Sequence, residues 1–141
     1  MTYIPDGDPF PDSCPYGTSP DNSAIAVGWL DDAHKFPTGP VPDGLLAALT
    51  ELGIHEVNVT RGVHACAFCP KPTQPRERPS WIYARSKSVG DYLLGHGEIH
   101  VRGIDTQLFA APTLVVHYVD AHGYQPPHAV IEAVLRTKAT N

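Results

Sequence analysis

No run of about 18 apolar residues, the least that a membrane-crossing helix needs, occurs in this sequence, so no membrane span is expected. Positive charge is also scarce. Lys and Arg number 10 against 15 Asp and Glu, a net charge of -5 with neutral histidine, which leaves no basic footprint for nucleic acid. The densest basic stretch, Lys71 to Lys87, is broken by prolines and Glu77 and reads as a solvated loop. Cysteine is sparse as well. Three residues, two of them in one Cys-x-x-Cys, make no disulfide framework, and in a reducing compartment such a pair reads as metal-binding or redox-active. The start, Met1 to Phe10, is acidic and proline-rich, without the basic region and apolar core of a secretory leader; the expected location is the cytoplasm. There is no internal repeat and no glycine-rich phosphate loop.

What is present is enough for one folded unit. The 141 residues fall in the usual range for a single domain. A domain of this size buries roughly two-thirds of the surface of its unfolded chain, so a metal is not needed merely to fold it. The 15 prolines and 12 glycines call for short elements joined by turns. Residues 1–22, with Pro5, Pro9, Pro11, Pro15 and Pro20 among aspartates and glycines, read as an extended N-terminal arm, and residues 23–141 as a single α+β domain.

Within that domain, Ser23 to Leu30 looks like a buried strand. Asp43 is the expected N-cap of a helix over Gly44–Leu52 with Leu45, Leu46, Leu49 and Leu52 on one face, ended by Gly53. The alternation in Ile54–Thr60 predicts a half-buried strand. Trp81–Arg85, Asp91–Leu94, Glu98–Arg102 and Gln107–Ala110 predict short strands of an antiparallel meander. Pro112 is expected to open a helix that stops at Gly123, and Pro126 and Pro127 a last helix to about Lys138. The fold class is therefore α+β: a small antiparallel sheet of about five or six short strands with about three helices and a proline-rich arm.

The strongest chemical signal is the run from Arg61 to Pro70, with His64, Cys66 and Cys69. Two cysteines separated by two residues can place both sulfurs on one ion at about 2.3 Å. Thiolates with imidazoles favour zinc over magnesium or calcium, which prefer oxygen. Two further ligands are needed, and His117 and His122 are the best source. In a regular helix they point about 140° apart, since each residue turns about 100°, so they converge only where the helix loosens near Gly123. His64 competes for a place in the shell, and His100 is a further candidate. Cys14, alone in the arm, reads as a packed or free thiol.

Weaker constellations stand beside it. His96-Gly97-Glu98 with the Cys66/Cys69 pair is similar to the zinc-deaminase set, but in reversed order and in a glycine turn. Asp31, Asp32 and His34 read as a polar turn, Trp29 and Trp81 as core, and Tyr118 and Tyr124 as packed rings with a hydroxyl to place.

The run Gly62-x-His64-x-Cys66-x-Phe68-Cys69, Gly97 to Ile99, Ala111-Pro112 and the segment His117 to Pro127 resemble an uncharacterised family of small bacterial proteins over about residues 25–138. The resemblance implies that the knuckle and the His-Tyr segment belong to one architecture, and it carries no activity. The functional expectation is a zinc-binding domain with Zn2+ in a mainly structural role. The alternatives are a zinc-dependent enzyme, hydrolase or deaminase-like, with an open coordination position and Glu98, Asp120 or His34 as acid/base, and a protein-interaction module whose acidic arm meets a protein partner or a second copy in a homodimer. Neither nucleic acid nor membrane is an expected partner.

Overall fold

A computed structural model describes residues 3–10, 24–70 and 81–140, with side chains through Thr137. Cys14, most of the arm and most of the basic stretch, including Lys71, Arg76 and Arg78, lie outside the described residues.

The described chain forms eight elements in the order β1 (Ile25–Ala26), α1 (Leu45–Ile54), β2 (Tyr83–Ser86), β3 (Gly90–Leu93), β4 (Glu98–Arg102), β5 (Leu108–Pro112), α2 (Val115–His122) and α3 (His128–Thr140). Five short strands and three helices make an α+β fold. The strands divide into two sheets. One runs β1-β5-β4, with β4 and β5 antiparallel and β1 parallel to β5; the other is the antiparallel hairpin β2-β3. The expected single meander is thus split between β3 and β4, where Gly95, at φ 103°, turns the chain out of the hairpin.

Alternation decides the faces of the first sheet. Ile99 and Val101 of β4 join Phe109 and Ala111 of β5 on the side covered by the helices, where Leu45 and Leu49 of α1, Leu114, Val115 and Tyr118, and Val130 and Val134 of α3 form the main core. Burying each such aliphatic side chain contributes about 1.5–3 kcal/mol. The opposite face carries small residues, Ala26 and Ala110, and is covered by Trp29 and Phe10, whose rings stack at 4.8 Å. Trp29 also donates its indole N–H to the Ala110 carbonyl at 2.9 Å, as a buried indole must. Residues 3–10 run antiparallel along β1, with bridges Ile4 to Trp29 and Pro9 to Ile25.

Several boundaries differ from the sequence reading. Gly44, at φ 85°, takes the N-cap position of α1 with no side-chain cap, so Asp43 does not cap the helix. The helix runs through Gly53 to Ile54, and a side chain at 53 would meet the Tyr92 hydroxyl packed there. That extension consumes the start of the expected Ile54–Thr60 strand. What remains is one bridge, Val57 to Glu98, and a Thr60 N–H to His96 carbonyl bond, interrupted by Asn58 at φ 51°. Pro112 closes β5 instead of opening α2. Trp81 is 40% exposed and is not a core residue. No helix of the described residues is long and apolar enough to cross a membrane.

Candidate metal centre

The knuckle from Arg61 to Pro70 has no regular structure of its own and is held by its surroundings. The His64 backbone N–H donates to the Gly95 carbonyl at 2.8 Å, and a Cβ at position 95 would collide with the His64 backbone, so only glycine lets the two strands of chain pass this closely. Within the knuckle the Phe68 N–H donates to the Cys66 sulfur at 3.4 Å. This bond folds the turn so that both sulfurs face the same way.

The other half comes from α2. Its last turn is wider than an α-turn: the Gly123 N–H reaches the Tyr118 carbonyl five residues back, and the Tyr124 N–H bonds the same oxygen at 3.1 Å. Gly123 closes the helix at φ 67°, ψ 18°, a left-handed conformation that glycine adopts without strain. The loosened turn swings His122 back toward the face that carries His117, and their Nε2 atoms lie 3.2 Å apart.

The four groups meet. Cys66 Sγ is 3.3 Å from His122 Nε2, Cys69 Sγ is 3.2 Å from His117 Nε2 and 3.6 Å from His122 Nε2, and all four atoms lie within 4.8 Å of one another. With Zn–S of about 2.3 Å and Zn–N of about 2.0 Å, a tetrahedron sets its corners roughly 3.3 to 3.8 Å apart. Four of the six separations, 3.2 to 3.6 Å, are close to that spacing and the other two lie within 4.8 Å, and two thiolates with two imidazoles are a borderline-soft donor set. The Cys2His2 group can therefore hold a metal ion.

Electrostatics agree with the geometry. Burial pushes the Cys66 thiol above its ordinary pKa, so it stays neutral until a cation displaces its proton. Burial, with the neighbouring His122 imidazole, lowers the pKa of His117 and keeps it neutral and ready to coordinate, against a smaller opposing pull from Asp120. Tyr118 has no exposed surface and its hydroxyl has no hydrogen-bond partner among the described residues. Burial raises its pKa, and so do the Cys66 and Cys69 sulfurs, which places the unused O–H within electrostatic reach of sulfurs that become anionic on metal binding. Phe68 packs over the group, 5.4 Å from the His122 ring and 5.7 Å from Tyr118.

The remaining sequence candidates lie elsewhere. His64, two residues before Cys66, is not in the group of four. Glu98 is paired with His100 at 2.8 Å and accepts from Asn58, while His96 is paired with Glu56 at 3.1 Å, so His96-Gly97-Glu98 does not join the cysteines. His34 sits in the polar turn with Asp31 at 2.7 Å and stacks on Tyr3. Tyr118 is the packed ring the sequence reading expected beside His122, whereas that reading missed Phe68 as part of the packing shell and missed the partner of Tyr124: its hydroxyl donates to Asp6 at 2.6 Å. No curated protein and no solved structure matches the chain. Over residues 2–135 it matches the model of an uncharacterised family, and it belongs to that family, described as a domain of unknown function (DUF7919).

Proposed function

We propose that the protein is a zinc-binding domain in which Cys66, Cys69, His117 and His122 hold one Zn2+ in a structural role. The ion ties the knuckle to the last turn of α2. The observation that carries this reading is the set of four protein donors within 4.8 Å of one another, which would fill a tetrahedral shell and leave no position for water or substrate. A reducing compartment such as the cytoplasm suits it, because both thiols must stay free to coordinate. The zinc would add its binding energy to folding and close a loop some fifty residues long.

The test is elemental analysis of protein purified without a metal-affinity tag, followed by Cys66→Ser and His117→Gln. One zinc per chain, lost together with thermal stability in both variants, is the expected result. Variants that keep the metal and the wild-type melting temperature would overturn it, as would a wild-type chain that neither carries zinc nor is stabilised by it.

One observation favours an enzyme as the second reading. Cys69, His117 and His122 are half-buried, and a cleft opens against His117 and Asp120. Release of one histidine there would leave three protein ligands and an open position for a hydrolytic water. Cobalt substitution separates the two: the visible spectrum of a filled Cys2His2 shell ignores added azide, whereas an open site shifts.

A further inference from the structure

Asp120 stands in the last turn of α2, between the two candidate ligands His117 and His122. As a part of the helix it is badly placed. A carboxylate in the last turn faces the negative end of the helix dipole, and aspartate is a weaker helix former than alanine. The residue is exposed and forms no ion pair among the described residues that would offset this. Arg85, which lines the same cleft, is in contact with Asp91 at 3.4 Å.

His117 has a complementary need. Its Nε2 lies 3.2 Å from Cys69 Sγ and 3.2 Å from His122 Nε2, so Nε2 is the nitrogen offered to an ion. A neutral imidazole that gives its Nε2 lone pair to a cation carries its proton on Nδ1. That Nδ1 has no hydrogen-bond partner among the described residues. A coordinated imidazole is nearly always held at its second nitrogen by a carboxylate, a carbonyl or water, which fixes the tautomer and the ring plane. Asp120 lies three residues on, and both side chains line one cleft, in which Asp120 is the only carboxylate. Cβ atoms at this helical spacing are about 5–6 Å apart, a gap that an aspartate oxygen and an imidazole Nδ1 can close. Burial and His122 lower the pKa of His117, and the charge of Asp120 opposes them.

We infer that Asp120 is a positioning residue of the metal centre: its carboxylate accepts the Nδ1–H of His117 and holds that ring with Nε2 toward the ion. The inference rests on the zinc reading and adds a fifth residue to it. The bond strengthens when the ion binds, because coordination polarises the ring and makes its N–H a better donor to an anion. Asp120 therefore stabilises the loaded state and contributes little to the empty one. A structural residue would support both. Removing Asp120 should weaken zinc binding while leaving the zinc-free fold as stable as before, or more stable, because the helix end loses an unfavourable charge.

The test uses the full-length chain and three variants: Asp120→Ala, Asp120→Glu and, as a control for the lost charge, Asp32→Asn, an exposed acid outside the cleft lining. Zinc affinity is measured by competition with a chromogenic chelator at low salt and at about 1 M salt, where exposed charges are screened beyond about 3 Å. Asp120→Ala should bind zinc about tenfold more weakly or worse, at both salt concentrations. Asp120→Glu should recover part of the loss, and Asp32→Asn should match wild type. The zinc-free Asp120→Ala protein should melt no lower than zinc-free wild type. With 15N-histidine label, the His117 Nδ1–H of the zinc-loaded protein should exchange slowly in wild type and faster in Asp120→Ala. The inference is overturned if Asp120→Ala binds zinc like wild type, if its loss disappears in salt, or if its zinc-free form is destabilised as much as its loaded form. A wild-type chain that takes up no zinc brings down the zinc reading and this inference together, whereas unchanged zinc binding in the Asp120 variants removes this inference alone.

Discussion

Asp6 accepts a hydrogen bond from the Tyr124 hydroxyl at 2.6 Å across 118 residues of sequence, and its other oxygen accepts the Gly28 N–H at 2.9 Å. One carboxylate thereby joins the arm, the chain after β1 and the segment that follows His122. Tyr124 is fully buried, and burial together with Asp6 raises its pKa. Tyr124→Phe should cost about 1–3 kcal/mol, the usual range for a buried bond to a charged acceptor. Asp6→Asn should cost a similar amount, and the double variant less than the sum, because the two share one interaction. Urea titrations of the four proteins would show this; strict additivity would mean that the bond contributes nothing.

The four-residue metal group makes a selective prediction about histidines. His117→Ala should lose bound zinc and His64→Ala should keep it, since His64 lies outside the group. A strong chelator should lower the melting temperature of wild-type protein by roughly 5–10 °C, corresponding to about 2 kcal/mol for a domain of this size. It should leave Cys69→Ala unchanged. Metal content by mass spectrometry and thermal scans with and without chelator check both statements.

Two glycines should respond differently to alanine. Gly123 has φ 67° with nothing within 4 Å of an added Cβ, so Gly123→Ala carries backbone strain alone, about 1 kcal/mol. Gly28 has φ 76°, and an added Cβ would sit 2.8 Å from Val115 Cγ2 in α2. Gly28→Ala should therefore cost more than about 2 kcal/mol, strain and overpacking together. Because Gly123 sets the turn behind His122, its alanine variant should also bind zinc more weakly; Gly28→Ala tests whether the effect is merely loss of stability.

Alkaline pH should unfold the protein partly through Tyr92. Its hydroxyl donates to the Thr50 carbonyl at 2.5 Å, and burial, with Glu51 and Glu56 nearby, pushes its pKa up to about 12 from 10.0. A raised pKa means that the folded form holds the proton while the unfolded form releases it. The stabilisation is complete below pH 10 and is lost as pH rises from there toward 12. Tyr92→Phe should flatten the fall in stability over that interval while lowering stability at neutral pH. A wild-type slope in the variant would assign the alkaline loss to other groups.

Much of the fold was legible because its signals are local. The extent of β4, Glu98–Arg102, follows from alternation alone, and Gly123 ends α2 as a left-handed glycine should. Some of the misread features depend on partners distant in sequence. Tyr92 packs closely on Gly53, the Asn58 side chain reaches Glu98, and β1 pairs in parallel with β5 from 84 residues away. A periodicity argument sees none of these, because it counts neighbours along the chain.

The candidate site divides the same way. Sequence alone determined the donor chemistry: a Cys-x-x-Cys turn and two imidazoles five residues apart are a zinc-type set wherever they meet. It also determined the obstacle, an angle near 140° between His117 and His122 on a regular helix. Tertiary structure decided that they do meet, and that His64 stays out. The wide turn from Gly123 back to Tyr118 swings one ring toward the other, and the bond from His64 to Gly95 aims the knuckle at them. Ligand identity is a property of side chains, whereas convergence within a few ångströms belongs to the packed backbone that carries them.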